Sequence, residues 1–435
     1  MYEKINEIAN SLKDELVKRR RDFHKYPELG WLEIRTASII ARELNNLGYK
    51  VLVGKEVCDE KSRMGLPLQE EFDKNYNRAI EQGADVEFAK LVKDGYTGVI
   101  GVLENGEGPV VALRFDIDAL PIVEDATEGH KPTKEGFVSC NIGCMHACGH
   151  DGHGTIGLGV AKTLMEIKDS LKGTVKLIFQ PAEEGVRGAK SIVEKGHLDD
   201  VDYLIGAHIG GVDAESCQLT PGMNGALATT KLDVYFKGFA SHAGGSPEKG
   251  KNVMLSLSTA ILNLYAIPRH SGGATRINVG TVQAGTGRNV IADSAKLEIE
   301  IRGETTEINK YMEDYAVNII NAAATMHGTT VEVKKVGNAI ALDSSDKLID
   351  RIRRVCSENV PDIKITEFNK AHLGGSEDFS FMADRVQGNG KEATFMLART
   401  PITAIAHNCQ YDFDEQVLVN GVKIYSSIVY DICKK

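Results

Sequence analysis

The sequence predicts an α/β protein in which a ferredoxin-like α+β domain interrupts a larger sheet domain. The chain has 435 residues, which exceeds the size at which a single hydrophobic core stops growing. In the first half, short apolar runs alternate with helix-like stretches, as in a sheet with helices on both faces. From about residue 228 the predicted order becomes βαββαβ, the order of a ferredoxin-like unit.

Residues 1–227 are predicted to form the first part of the sheet domain. Near the N-terminus the apolar residues have helical spacing, and we expect one helix, a turn at 24–30 and a second helix. Strands are expected at 98–103, 110–115, 175–179 and 203–207, with helices at 156–167 and 189–195. The chemically distinctive motifs follow strand ends, where open α/β sheets bind ligands.

Two further segments complete the predicted organisation. Residues 228–338 should form the inserted domain, and residues 339–435 should return to the sheet domain. Residues about 56–95 fit neither pattern, because they are polar and contain the turn Met-Gly-Leu-Pro and a charged helix at 68–82. We interpret them as an inserted surface element; a disordered loop is the alternative.

Composition limits the classes of partner. The chain is 42% hydrophobic and 26% charged, with a formal charge of −10, which argues against a broad nucleic-acid surface but excludes no local basic pocket. The apolar runs are shorter than the roughly 18 residues of a membrane span, and the first residues lack a signal-peptide core. The chain has eight cysteines, three of them within one histidine-containing run, and their uneven spacing does not resemble a disulfide scaffold. We expect a cytoplasmic protein with neither membrane nor nucleic-acid partners.

A cluster of metal-binding side chains is the clearest functional signal. Residues 140–153 read Cys-Asn-Ile-Gly-Cys-Met-His-Ala-Cys-Gly-His-Asp-Gly-His, which supplies three thiols, three imidazoles and a carboxylate. These groups hold divalent transition metals, although a turn with incidental histidines is the alternative. Further donors follow in Gln-Pro-Ala-Glu-Glu-Gly at 180–185, Ala-His-Ile at 207–209 and Ala-His-Asn at 406–408. Together they suffice for a two-metal site.

These runs, in order along nearly the whole chain, resemble the aminoacylase-type metallo-amidohydrolases, which include hippurate hydrolase and the auxin-conjugate hydrolases. The other matching motifs are at residues 21–30, 114–121, 241–245, 285–289 and 375–378. The resemblance implies a dinuclear-metal, exopeptidase-like catalytic domain with an inserted ferredoxin-like dimerisation domain. It also implies hydrolysis of the amide bond of an N-acyl amino acid.

By this resemblance the metal ligands are Cys148, His150, Glu184, His208 and His407. Five ligands are too many for one tetrahedral ion with an open catalytic position, so we expect two divalent ions, with Cys148 as the bridge. A thiolate does not decide between zinc, manganese and nickel, and we expect manganese or zinc.

Several neighbouring side chains are expected to lie near the ions without binding them. Many relatives have a ligand histidine where Arg114 stands, so we place Asp116 and Asp118 outside the ligand set, as residues that orient it. His146 and His153 are likewise expected nearby but not as direct ligands.

The resemblance assigns the remaining catalytic and binding roles. Glu183 would be the general base for the attacking water and would pass its proton to the departing amine; a simple carboxylate at a helix N-terminus is the alternative. His242, often supplied by the neighbouring subunit, would stabilise the oxyanion. Asn289 and Arg302 would hold the substrate carboxylate, although Arg302 could instead form a salt bridge on its strand. Arg288 is an extra cation that favours a dicarboxylic product, as from an aroyl-glutamate such as p-aminobenzoyl-glutamate.

Other functions remain open on the sequence alone. A broad aminoacylase, a hippurate hydrolase or a small dipeptidase would use the same scaffold. An iron–sulfur protein would use Cys140, Cys144 and Cys148, but their spacing matches neither common ferredoxin run. A catalytically silent member of a two-chain enzyme is disfavoured because every expected ligand and the base are present. The expected assembly is a homodimer, or a heterodimer with a related chain.

Overall fold

The computed structural model describes residues 1–211, 214 and 217–435, and these form two compact units. The first unit contains Met1–Asn224, Asp343–Leu373 and Asp378–Lys435. The second contains Gly225–Leu342 and Gly374–Glu377. The second unit is therefore inserted into the first, and the chain crosses between them near residues 225, 342, 374 and 377.

Fourteen strands are found in the described part of the chain. They are β1 (Lys50–Val53), β2 (Val99–Asn105), β3 (Val110–Asp116), β4 (Gly173–Gln180), β5 (Tyr203–Ile209), β6 (Gln218–Thr220), β7 (Gly222–Asn224), β8 (Ala228–Lys237), β9 (Thr275–Ala284), β10 (Ser294–Gly303), β11 (Thr330–Ala339), β12 (Lys364–Ile365), β13 (Lys370–His372) and β14 (Glu392–Arg399).

The α-helices within these described ranges number thirteen. They are α1 (Tyr2–Ser11), α2 (Lys13–Lys25), α3 (Ile34–Leu47), α4 (Gln69–Glu81), α5 (Val86–Val92), α6 (Lys131–Lys134), α7 (His150–Glu166), α8 (Ala189–Glu194), α9 (Val253–Tyr265), α10 (Thr306–Met326), α11 (Asp346–Asn359), α12 (Phe379–Gly388) and α13 (Gln416–Cys433). The single helix expected before the turn at 24–30 is two helices that meet at Leu12.

The first unit is built on a mixed eight-stranded sheet in the order β1-β2-β4-β3-β5-β14-β6-β12. Its centre, β4-β3-β5-β14, is parallel, so the carboxyl ends of these strands share one edge. Successive residues of β3 face opposite sides of the sheet. Phe115 meets Gly157 of α7, whereas the Arg114 guanidinium lies 6.0 Å from the Phe379 ring of α12. Helices therefore cover both faces, which confirms the predicted α/β class.

The second unit is an antiparallel sheet in the order β11-β8-β10-β9, covered by α9 and α10. Buried and more exposed residues alternate along β8 and β10, as expected for a sheet with one covered face. Side-chain caps fix both helix starts: the Asn252 side chain accepts from Met254 N, and the Thr305 side chain accepts from Ile308 N. The βαββαβ order matches the ferredoxin-like prediction.

The polar segment at 56–95 is folded onto the first unit. Its charged helix is α4, and a second short helix, α5, follows it. Ala79, Ala89 and Val92 are fully buried in the core that includes α3, so the disordered-loop alternative is not what the structure shows.

None of the helices in the described ranges is both long enough and apolar enough to cross a bilayer.

Candidate metal centre and active site

The five predicted ligands come from four loops or strand ends at the carboxyl edge of the sheet. Cys148 precedes α7 and His150 begins it, so the turn predicted to bind metal is partly helical rather than a simple loop. Glu184 follows β4, and His208 lies near the end of β5. His407 arrives from the loop after β14, where its backbone N–H donates to Ala147 O at 2.8 Å.

The structure brings all five side chains into one cluster. The Cys148 Sγ atom lies 3.3 Å from His208 Nε2, and Glu184 Oε1 lies 3.6 Å from His407 Nε2. Donor atoms within 4.8 Å of one another form two relevant groups, Cys148–His150–His208 and Cys148–Glu184–His407. Cys148 belongs to both, so its sulfur is the only donor these two groups share.

Hydrogen bonds at the second ring nitrogen orient the imidazoles of His150 and His208. His150 Nδ1 is 3.0 Å from Asp118 O, and His208 Nδ1 is 2.7 Å from Ile209 O. Because a carbonyl can only accept, each Nδ1 carries the hydrogen, and each Nε2 lone pair is left for a metal.

The remaining donor atoms fit a cation. His150 Nε2 and Glu184 Oε1 are buried and lack a hydrogen-bond partner among the described residues. Buried polar atoms are rarely left unpaired, and a divalent ion would satisfy both. The residues present therefore fit a metal centre.

Burial disfavours the charged forms of three of these side chains when no ion is bound, whereas nearby Asp116 and Asp118 raise the pKa of His150 well above its ordinary value. Desolvation raises the pKa of the Cys148 thiol, raises the pKa of Glu184 to about 7 and lowers the pKa of His208 to about 3. Nearby Asp118 and Asp116 also raise the pKa of Glu184. A cation would favour the deprotonated thiol and carboxylate, so metal uptake should release protons.

Asp118 connects the ligands to the proposed base. Its carboxylate accepts from Glu183 N at 3.1 Å and from Glu184 N at 2.9 Å. The same carboxylate has Oδ1 at 3.3 Å from His150 Nδ1. One buried aspartate thus contacts His150, a predicted ligand, and fixes the backbone of the Glu183–Glu184 pair.

Two other buried carboxylates hold the turn that follows β4. Ala182 has a φ of 51°, a strained value for a non-glycine residue, and its N–H donates to Glu33 Oε1 at 2.7 Å. Asp378 Oδ2 accepts from Gly188 N at 3.0 Å and from Ala189 N at 2.9 Å. No sequence motif indicated a role for Glu33. Asp378 lies in a recognised motif at residues 375–378, but its contacts with Gly188 and Ala189 could not be predicted from the sequence.

His153 and Asp116 are already engaged with other groups. The Nδ1 atom of His153 donates to Asp116, and its Nε2 accepts from Ile209 N at 2.8 Å. Arg114 Nη1 donates to Asp116 Oδ2 at 2.5 Å. Asp116, His150 and His153 form a further possible donor group. An ion bound there would break the hydrogen bonds that Asp116 and His153 already make. His146 is buried and belongs to none of the donor groups found among the described residues.

The other predicted residues lie in the second unit. His242 is exposed, and its Nδ1 accepts from Gly244 N at 3.1 Å and Gly245 N at 2.9 Å. The hydrogen therefore sits on Nε2, which makes the ring a donor towards solvent. Ala243 N donates to Asn289 O at 3.0 Å, so the loops carrying His242, Arg288 and Asn289 lie side by side.

Arg302 lies far from that pair of loops. Asn289 precedes the first residue of β10, Ser294, whereas Arg302 is the last residue but one of this strand. At about 3.4 Å per residue, the part of β10 from Ser294 to Arg302 alone spans about 27 Å. Arg302 Nη2 donates to Glu300 Oε1 at 2.9 Å. Within one chain, the structure does not bring Asn289 and Arg302 together.

An α/β unit with helices on both faces of its sheet, this donor cluster at its strand ends and an inserted ferredoxin-like unit together define a class of metal-dependent hydrolases. Residues 112–431 match the model of peptidase family M20/M25/M40. The chain belongs to this family, which confirms the resemblance to the aminoacylase-type amidohydrolases.

Particular relatives are similar over almost the whole chain. One of the subunits of p-aminobenzoyl-glutamate hydrolase from Escherichia coli (strain K12) is 45% identical, covering 97% of this chain and 96% of its own. The indole-3-acetyl-aspartic acid hydrolase of Enterobacter agglomerans is 44% identical, covering 96% of each. Among solved structures, an aminobenzoyl-glutamate utilization protein from Klebsiella pneumoniae has a TM-score of 0.86 at 38% identity, covering 98% of both chains.

Proposed function

We propose that this protein hydrolyses the amide bond of N-acyl amino acids with the help of two divalent metal ions, manganese or zinc. The observation that carries the proposal is the sharing of Cys148 between two donor groups. His150 and His208 would hold one ion with Cys148, and Glu184 and His407 would hold the other with it. When bound, such ions supply Lewis acidity that polarises the scissile carbonyl.

Glu183 is the proposed general base. It is buried, its backbone is fixed by Asp118, and its carboxylate belongs to a donor group with His150 and Glu184. A carboxylate held beside the reacting centre can accept the proton of the attacking water and return it to the departing amine.

The proposed substrate is an aroyl-glutamate such as p-aminobenzoyl-glutamate. The names of the two relatives describe substrates that share an aromatic acyl group and a dicarboxylic amino acid. Exposed Arg288 beside Asn289 supplies a cation for the second carboxylate. A broad aminoacylase or hippurate hydrolase remains the second candidate, since one relative is a hippurate hydrolase at 28% identity.

The proposed assembly is a dimer, either of two copies or with a related chain. Helix α9 exposes Leu255 at 52%, Leu262 at 73% and Tyr265 at 46%, an apolar surface suited to a partner. The separation of Asn289 from Arg302 supports a site completed by two chains. The name of the Escherichia coli relative describes one subunit of its enzyme, which supports the heterodimer. A cytoplasmic location is supported by eight free cysteines.

The metal proposal is tested by metal analysis and activity together. Purified protein loaded with manganese or zinc should contain about two ions per chain and release glutamate from p-aminobenzoyl-glutamate. A chelator should abolish this release reversibly. Cys148→Ala should lose bound metal while retaining the fold, because the site lies at the edge of a large core; Cys140→Ala, at an exposed thiol, is the control. Unchanged metal content in Cys148→Ala would remove this residue from the centre.

The substrate proposal is tested at Arg288. A charge-assisted bond to the second carboxylate is worth roughly 1.5 to 3 kcal/mol, so Arg288→Ala should lower kcat/KM for the aroyl-glutamate about ten- to a hundredfold. Hippurate, which lacks that carboxylate, should be cleaved almost as before. Equal losses for both substrates would show that Arg288 does not select a dicarboxylic amino acid.

A further inference from the structure

The segment at 56–95 approaches the turn that carries Glu183 and Glu184. Within it, Met64, Gly65 and Leu66 form a short apolar loop between two helical segments. We propose that this loop, called here the acyl wall, is the surface against which the acyl group of the substrate packs. The inference rests on the proposed amidohydrolase activity and assigns to it a residue set that selects the acyl half of the substrate.

Arg187 joins the acyl wall to the metal-binding turn. Its Nε donates to Glu184 O at 2.9 Å, and its Nη1 donates to Gly65 O at 3.0 Å. Both nitrogens belong to one planar guanidinium, so the two carbonyl groups lie within the reach of a single side-chain head. Gly30 makes room for it, because a Cβ there would lie 2.3 Å from Arg187 Nη2.

Two other side chains keep the acyl wall in place. The indole Nε1 of buried Trp31 donates to Met64 O at 2.7 Å. Arg63 stacks 3.6 Å from the Tyr96 ring centroid and donates to Asp94 O at 2.8 Å. The bonds to Met64 and Gly65 use main-chain carbonyls and therefore do not occupy the apolar side chains of the loop; Met64 is half-buried. Leu66 keeps 42% of its surface exposed.

The amino acid half of the substrate is charged and the acyl half is apolar, and this difference assigns the acyl wall to the acyl group. The amino acid half carries carboxylates, which need cations and donors such as Arg288 and Asn289. The acyl wall carries no charged side chain at Met64, Gly65 or Leu66 and lies beside the turn of the proposed base. A flat aromatic acyl group gains most from such apolar contact, whereas an acetyl group gains little from it.

The test compares two acyl groups on the same amino acid, p-aminobenzoyl-glutamate and N-acetyl-glutamate, in the metal-loaded protein. The double variant Met64→Ala with Leu66→Ala should lower kcat/KM for the aroyl substrate about tenfold or more, mainly through KM. N-acetyl-glutamate should change less than about twofold. The control is Leu91→Ala, at an equally apolar residue on α5 that is 55% exposed; it should leave both substrates unaffected.

Each other result has a definite meaning. Equal losses for both substrates, or no loss for either, would overturn the acyl wall. If thermal melting shows that the double variant is unfolded, Leu66→Ala alone decides, with the same selective loss expected and the same equal or absent loss overturning the inference. A wild-type protein that cleaves neither substrate would instead overturn the proposed function, and this inference with it.

Discussion

Asp118 shows how much of the site depends on a residue that need not touch the substrate. Its carboxylate accepts two backbone hydrogen bonds from the Glu183–Glu184 pair and lies against His150. One buried group therefore fixes the backbone of the proposed base and contacts one of the proposed ligands. Such orienting residues are commonly as important to a metal site as the ligands themselves.

The first prediction concerns Glu183. Glu183→Gln preserves shape but removes the proton acceptor, so turnover should fall at least as far as the roughly 10² to 10⁴ attributed to acid–base catalysis. Metal content should be unchanged, because the ligands remain. Steady-state kinetics and metal analysis check this, with Glu194→Gln on α8 as the matched control. A loss below tenfold would mean that another group activates the water.

For single residues, the sequence predicted which side chains lie close together where those side chains belong to one local motif. Cys148 and His150 are two positions apart, and Glu183 and Glu184 are adjacent, so their proximity could be predicted. Glu33 could not be found in the same way, because it reaches Ala182 across 149 positions and resembles any other helix-flanking acid in the sequence. The roles of the ligands, the base and the substrate-binding residues remain predictions.

Among the elements, α2 is joined to the start of α13 by partly buried ion pairs at Glu415, the residue that precedes α13. Arg21 holds this carboxylate through Nε at 2.8 Å and Nη2 at 2.7 Å, and Lys131 adds a contact at 3.0 Å. Burial by itself raises the pKa of Glu415, but Arg21, Arg20 and Lys131 outweigh it and lower the pKa to about 2.

The second prediction follows from that lowered pKa. The ionised carboxylate stabilises the fold above its ordinary pKa of about 4.5, and this contribution is lost as pH falls towards 2. Glu415→Gln should therefore lower the free energy of unfolding by about 2–3 kcal/mol at pH 7, and the difference from wild type should roughly halve by pH 3. Urea unfolding at both pH values measures it. The control is Glu135→Gln, which removes a more exposed partner of Arg21 and should lower the free energy of unfolding by less than about 1 kcal/mol. If the effect of Glu415→Gln does not depend on pH, the stabilisation does not come from the ionised carboxylate.

Elements with strong periodicity were predicted well, and short ones were not. The βαββαβ order and the central strands follow from alternating and continuous apolar runs. Helix α7 begins at His150, not near residue 156, because its first turn is rich in glycine and histidine and lacks an apolar stripe. The strands β6, β12 and β13 have two or three residues each. Their pairing depends on distant chain segments, which leave no local pattern.

For the whole molecule, the third prediction tests whether two chains share a site. His242→Ala chains and Glu183→Gln chains should each be inactive. After mixing and exchange of chains between dimers, random pairing should leave roughly a quarter of the sites with both an intact Glu183 and a His242 from the partner. Recovery of about a quarter of the wild-type rate checks this. If exchange is demonstrated independently and activity does not return, His242 acts within its own chain or has no catalytic role.

The distance between Asn289 and Arg302 has a consequence for how such an enzyme behaves when diluted. Strand β10 acts as a rigid spacer of about 27 Å, so no side-chain movement can close the gap. If the substrate carboxylate needs both residues, a monomer is incomplete however well it is folded, and specific activity must fall once the protein is diluted below its dissociation constant. The same spacer allows the two chains of a heterodimer to specialise. A related chain that had lost its own metals would still complete its partner's site with the residues at the far end of its β10.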